Sequence, residues 1–543
     1  MNRKIIKFFS PLLALVLALA AAPVTLEANA AAIFLTEPML VGGTDYAVAL
    51  KSDGTVWAWG SNSYGELGDG TTKNRTAPTK VKKLSNVKAI AAGHHGAVAL
   101  KNDGTVWAWG SDDYGAWDNR ETNRTVPVQI KNLSGVQAVS AGYDHTVALK
   151  NDGTVWAWGD NGSGQLGDGT GTIKKIPVKV KSLSGVRMIS AGHYHTLALK
   201  NDGTVWTWGD NSLGQLGDGT TTGKKLPVKV KNLNNMKAIS AGNWYAIAQK
   251  NDGTLWAWGD NRFGQFGDGT TSDRKTTPVQ IKTISNVQAF SAGGYHTMAL
   301  KNDGTIWTWG NNGYGQLGDG TRTQRTAPVQ LKNLKNVKAI TAIDRNTVAL
   351  KNDGAVWAWG VNFGGILGEG ADSKLTPVQI KGTGGKGYLN LIVENYVSLR
   401  IGYTKAIQNG VQTTIDSAGT KPLILGGRTM IPLRFVGEKM GATVNYVNTK
   451  TPITLVYGAK TVKVTLGSKK MTVTENGKTK TITLDVAAQL KDGKTYIPLR
   501  AVGEALDFTV YYDADTKIII VANLKMSAST RNTRLSEAKA YIK

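Results

Sequence analysis

Residues 184–233 read SGVRMISAGHYHTLALKNDGTVWTWGDNSLGQLGDGTTTGKKLPVKVKNL. Four short strands are predicted within this stretch. The first, Val186–Ala191, ends in small residues, and the second is His195–Lys200. Asp202-Gly203 predicts a two-residue hairpin between strands two and three, because Gly accepts positive φ. The third strand, Val205–Trp208, sets Trp206 and Trp208 two residues apart and therefore on one face. A Gly-rich loop, Gly209–Thr220, leads to a fourth strand at Pro227–Val230, where proline at the start suits an outer edge.

The pattern recurs along the chain. Trp-x-Trp-Gly begins at Trp57, Trp107, Trp156, Trp206, Trp256, Trp307 and Trp357, with spacings of 50, 49, 50, 50, 51 and 50. Self-similarity at this period means stacked units, and small residues on strand one suit the crowded centre of a ring. Paired indoles would fill the space between neighbouring sheets. The expected architecture is mainly β: a seven-bladed β-propeller over residues 33–381, followed by a smaller α+β domain.

The ordered elements A-G-x-x-H-T-x-A-L, D-G-x-V-x-x-W-G and G-Q-L-G-D-G resemble the regulator of chromosome condensation repeat over residues 39–381. Nuclear members of that family exchange guanine nucleotides on a small GTPase, through inserted loops and surface residues that find no match here. Exported bacterial members bind proteins through one face. The resemblance therefore implies protein binding more than exchange activity.

Connectivity separates two faces. Strands alternate direction, so the loop after strand one and the loop after strand three share a face, opposite the Asp-Gly turns. The turn face repeats nearly verbatim, from Lys51-Ser52-Asp53-Gly54 to Lys351-Asn352-Asp353-Gly354. The loop face varies and gathers Tyr46, Tyr64, His95, Tyr114, Trp117, Tyr143, Tyr194, Trp244, Phe263, Tyr295, Tyr314, Arg345 and Phe363. Aromatics and Arg on a rigid frame have the composition of an interface. His145, His195 and His296, at strand entries, read as packing residues.

No catalytic residue, metal site or cofactor is expected. The Gly-x-Gly-x-x-Gly at Gly162–Gly167 opens no helix, so the dinucleotide reading fails its context. The loop Asp160–Asp168 lacks the offsets of an EF-hand and reads as turn chemistry. His94-His95 and His193-x-His195 lack a recurring third ligand. Departures from the frame are Trp117 with Asp118-Asn119-Arg120, Gln249, Ile343 and Glu369.

Past Gly382-Thr383-Gly384-Gly385-Lys386-Gly387, read as part of a flexible linker (382–389), Trp and His vanish. A second repeat pairs Gly427–Glu438 with Gly493–Glu504 at an offset of 66 residues. Pro432 and Pro498 suit a helix first turn, and Leu433, Val436 and Met440 fall at helical spacing, like Leu499, Val502 and Leu506. Lys460–Leu466 and Lys478–Leu484 alternate like strands. Residues 390–524 resemble the copper amine oxidase N-terminal domain. The region contains no His, so copper and oxidase chemistry are rejected for it. Arg434 and Arg500 are candidates for anion binding or for a structural role. Residues 525–543 read as a loosely ordered polar tail.

Arg3, Lys4 and Lys7, the apolar run Leu12–Ala22 and Ala28-Asn29-Ala30 have the layout of a secretory signal peptide over residues 1–30. The chain has no Cys, which excludes thiol catalysis and disulfides, and a net charge of +25. Residues 33–381 carry 38 basic and 27 acidic side chains, while residues 382–543 carry 23 and 11. Such an excess favours anionic partners. The expected protein is a secreted, monomeric, non-enzymatic binder, possessing no nucleic-acid role and no membrane segment after cleavage. Its propeller would take a protein or glycan, and its basic C-terminal module an anionic cell-wall polymer. The alternatives are a polysaccharide-acting enzyme or lectin and an exchange-factor-like activity.

Overall fold

The computed structural model describes residues 36–111, 123–368, 372–393, 395–409, 411–446, 451–458, 460–475, 477–523 and 528–542. These divide into two compact units, 36–392 and 393–542. Residues 1–30, Tyr114, Trp117, Asp118-Asn119-Arg120 and Glu369 lie outside the described residues.

Among the described residues, the first unit holds seven four-stranded antiparallel sheets, each made of four consecutive strands. They form the blades of a propeller. Blade four consists of Val186–Ala191, His195–Lys200, Val205–Gly209 and Lys224–Lys229. The fourth strand starts before Pro227, not at it. A mid-strand proline is tolerated because this is the sheet's outer edge, where the missing N–H breaks no ladder bond.

Seven apolar cores lie between blades. In one, Trp208, Val186 and Ile189 of blade four meet Val147, Leu149 and Leu166 of blade three. The second Trp of every pair is fully buried. Its indole also fastens the blade to the preceding one. Trp208 Nε1 donates to the Gln165 carbonyl at 2.8 Å, and Trp258 to that of Gln215 at 2.9 Å. Gly167 is glycine because the indole of Trp208 passes so close that a Cβ would lie 2.8 Å from Nε1.

The first Trp of each pair is only half-buried, so the two indoles do not fill the gap equally. Trp206 lies under Lys200, whose Nζ is 5.6 Å from the ring, and its Nε1 donates to Thr204 Oγ1 at 3.2 Å. Thr204 in turn donates to Asp202. The turn itself differs from the two-residue expectation. Gly203 N donates to the Lys200 carbonyl and Lys200 N to the Thr204 carbonyl, with φ positive at Gly203 alone. That is a three-residue loop whose Gly restores the strand twist.

The ring closes without strand exchange: blade one and blade seven are each continuous in sequence. Trp59 Nε1 reaches the Ile366 carbonyl at 2.8 Å, and Thr341 Oγ1 reaches the Leu40 carbonyl at 2.9 Å. Ile343, which replaces the Gly of the other blades, is 4% exposed and sits against Gly42, where other blades carry Ala. A Cβ on Gly42 would lie 2.4 Å from Ile343 Cδ1. The two departures therefore fit one another. Gln249, another departure, is buried and donates to the carbonyls of Val287 and Gly253.

The segment expected as a flexible linker straps this joint on the turn face. Leu391 N donates to the Gly354 carbonyl of blade seven, and Ser52 N of blade one donates to the Leu391 carbonyl. Leu389 and Leu391 are buried in the closing core. Two leucines just past the glycines, not the glycines themselves, decide its behaviour.

The second unit pairs its two repeats directly. Strands Arg428–Pro432 and Lys494–Pro498 run antiparallel with Ile431 opposite Ile497. Helices Leu433–Lys439 and Leu499–Ala505 follow, and the prolines stand at their N-caps rather than inside the first turn. Leu433, Val436, Met440, Leu499, Val502 and Leu506 are buried together. Arg434 and Arg500 are exposed and lie 3.7 and 3.9 Å from Glu438 and Glu504, an arrangement of small energetic weight. The tail forms helix Ala528–Tyr541 instead of a loose end. It docks because Ala538 and Ile542 enter the apolar cluster of Tyr396, Ile407 and Ile520, and Tyr396 donates to Glu537 at 2.6 Å.

Candidate functional site

The loops after strand one meet at the mouth of the propeller's central channel around a cavity of about 350 Å³. Each blade enters the mouth through a small residue and, in six of the seven, a Gly. A Cβ on Gly192 would lie 2.6 Å from the Gly242 carbonyl oxygen of the next blade, so only glycine permits this approach.

Aromatic and imidazole rings run around the mouth as an arc. Tyr64 contacts His95 (4.4 Å between centroids), His95 contacts His94 (3.5 Å), and His94 stacks on Tyr143 (3.8 Å). Tyr143 meets His193 (3.9 Å), which meets Tyr194 (4.3 Å) and Trp244 (5.0 Å). Trp244 Nε1 donates to Tyr295 Oη at 3.0 Å, and Tyr295 packs edge-on to Phe263. Loop-to-loop backbone bonds hold the base: His94 N to the Tyr143 carbonyl, and Tyr143 N to that of His193.

Blade seven closes the circuit with charge. Arg345 Nε lies 3.4 Å from Asp344 Oδ2, and its guanidinium lies 5.3 Å from the Tyr314 ring centroid. Asn243 Nδ2 donates to Asp344 Oδ1 at 3.0 Å. Burial raises the pKa of Asp344 and, against the opposing effect of Arg345, that of Asp45. Burial and neighbouring imidazoles lower His94 to about 3, and burial lowers His193 to about 4. Both rings are therefore neutral at pH 7 and act as flat aromatic surfaces.

Of the residues expected on this face, Tyr64, His95, Tyr143, Tyr194, Trp244, Phe263 and Tyr295 are partly exposed and joined in the arc. Tyr314, Arg345 and Phe363 are exposed. Tyr46 is a correction: it is 1% exposed, and its hydroxyl donates to the carbonyls of Gly96 (2.6 Å) and Gly93 (3.1 Å). It opens the second strand, where the side chain points between blades. His145, His195 and His296 occupy the same position and are buried. His94 and His193, central to the arc, were passed over for their neighbours, although both stand directly after the entry glycines.

Among the described residues no group of three or more His, Asp or Glu is placed to hold a metal ion. The loop Asp160–Asp168 is tied internally: Asn161 Nδ2 donates to Asp168 Oδ1 and the Thr172 carbonyl, and its Oδ1 accepts from Leu166 N. No helix of the described residues is long and apolar enough to cross a membrane.

Residues 117–403 match the RCC1-like domain, and residues 53–100 and 87–116 match the regulator of chromosome condensation (RCC1) repeat. Residues 392–446 and 417–521 match the copper amine oxidase N-terminal domain. The chain is similar to Prp20p of Saccharomyces cerevisiae, a protein described for its binding to Gsp1p and histones (24% identity over 65% of this chain and 88% of that one, TM-score 0.56). It is also similar to human WBSCR16 (21% identity, 61% and 95% coverage, TM-score 0.55). At these identities the likeness is one of fold.

Proposed function

The chain belongs to the RCC1-like domain family, and on that premise we propose that it is an exported, non-enzymatic binding protein whose propeller engages a protein partner through its loop face. One observation carries this reading: the two faces differ in how far their polar and aromatic groups are already used. On the turn face, Asp, Thr, Trp and Lys of a blade satisfy one another, as in Asp202, Thr204, Trp206 and Lys200. On the loop face a continuous arc of half-exposed rings surrounds an open cavity. Large aromatics at a concave centre are the usual anchors of an interface.

The second unit, with its 23 basic and 11 acidic residues over 382–543, is assigned to holding the protein near an anionic wall polymer. The family's exchange activity is not carried over, and neither is oxidase chemistry.

The test is capture of partners from culture medium and cell surface with the full-length protein, followed by calorimetry. Trp244→Ala, Tyr194→Ala and Arg345→Ala should each weaken binding, the larger effects reaching about 2 kcal/mol. Lys200→Ala, on the other face, should leave affinity unchanged. The reverse pattern would place the interface on the turn face.

A further inference from the structure

The loop face is opposite in sign to the molecule that carries it. The chain as a whole has a net charge of +25. The first loops bring Asp45, Asp144 and Asp344 to the mouth, and the second loops bring Glu66, Asp160, Asp210 and Asp260 beside them. Against these carboxylates stand Arg262 and Arg345, each already beside an aspartate, at 2.9 Å from Asp260 and 3.4 Å from Asp344.

The carboxylates are interleaved with the rings. Tyr194 lies in the field of Asp144 and Asp160, and Tyr295 in that of Asp344 and Asp260. Asp45 feels both Asp344 and Glu66, and it is held above the usual carboxylate range by burial with only Arg345 and His95 in opposition. A site with this shortage of positive charge gains from a cation brought to it.

Ring faces attract ammonium and guanidinium groups, and carboxylates give them charge-assisted hydrogen bonds. The protein already shows the arrangement in cis, with Arg345 between Asp344 and Tyr314. The cavity of about 350 Å³ beside them is lined by Tyr143, His193, Trp244 and Asp344. We propose that the loop face recognises a protein partner through lysine or arginine side chains, one of which enters the channel mouth between Trp244 and Asp344. This rests on the loop face being the binding surface, and adds the sign of what binds there. The net charge of the chain points to anionic partners; this face selects against them.

The test uses the folded full-length protein and two labelled probes, hexa-arginine and hexaglutamate, at about 0.15 M salt. Hexa-arginine should bind despite the protein's own positive charge. Asp344→Asn and Asp45→Asn should each weaken it about tenfold or more, with unchanged thermal midpoints. Asp45→Asn guards against an effect of Asp344 on Asn243. Absence of hexa-arginine binding, or binding indifferent to both variants, overturns the proposal. Hexaglutamate binding that is lost in Arg345→Ala also overturns it, while leaving the loop face as the binding surface. That broader reading fails separately, when a captured partner keeps full affinity for Trp244→Ala and Tyr194→Ala.

Discussion

A single methyl group is enough to test how tightly the channel mouth is built. On Gly192 it would meet the buried ring of His195 at 2.2 Å and the Gly242 carbonyl at 2.6 Å, neither of which can swing away. Gly192→Ala should therefore lower stability by about 1–3 kcal/mol, read as a drop in thermal midpoint. The buried imidazoles give a pH signature. Burial lowers His145, His195 and His296 to about 3, while an unfolded chain titrates near about 6.5. Above that value both states are neutral and the stability is complete. As pH falls from about 6.5 towards 3 the unfolded state takes up protons that the folded state refuses, and stability is lost. By pH 5 the loss should be about 2 kcal/mol for each ring, and denaturant midpoints measured between pH 7 and 5 check it. At this scale the sequence separated buried from exposed positions well, with Tyr46 the exception. Tyrosine is at home both at surfaces and in cores, and what decided its place was the carbonyl of Gly96, a contact between blades.

Within a blade, strand order and the pairing of Trp residues were legible because they depend on local alternation and on a repeat seen seven times. The turn type was not. Asp-Gly is compatible with more than one hairpin geometry, and the choice lies in whether Asn201 and Asp202 take positive φ; neither does. The linker and the tail were misread for a shared reason: each holds two apolar residues in a polar context, Leu389 with Leu391 and Ala538 with Ile542. Such pairs show their weight only when a neighbouring core stands ready to receive them. The second Trp of each blade is the element's main fixture, joining an apolar core to a hydrogen bond across blades. Trp208→Ala should cost about 3–5 kcal/mol. Trp206→Ala, at a half-buried ring under Lys200, should cost clearly less, and paired urea titrations would rank the two.

For the molecule as a whole, net charge gave a misleading guide to the propeller's partner, because total charge averages two faces of different character. It remains the basis for expecting wall association by the second unit. Retention of the protein on purified anionic wall should fall steeply between about 0.1 and 1 M salt, as the screening length contracts from about 10 to 3 Å. Retention that is indifferent to salt would reject an electrostatic hold.

The fit of Ile343 against Gly42 bears on how the chain knows where to stop. Blades of nearly one sequence present nearly one surface, so a sixth blade could offer its flank to the first almost as well as the seventh does. Only the seventh carries the branched side chain, and only the first lacks the methyl that would obstruct it. A premature six-membered closure would bring Gly293 where Ile343 belongs and leave the hollow over Gly42 empty. The pair acts as a terminator in the counting of blades, favouring the correct number over its neighbours by a difference of packing that no single blade possesses by itself.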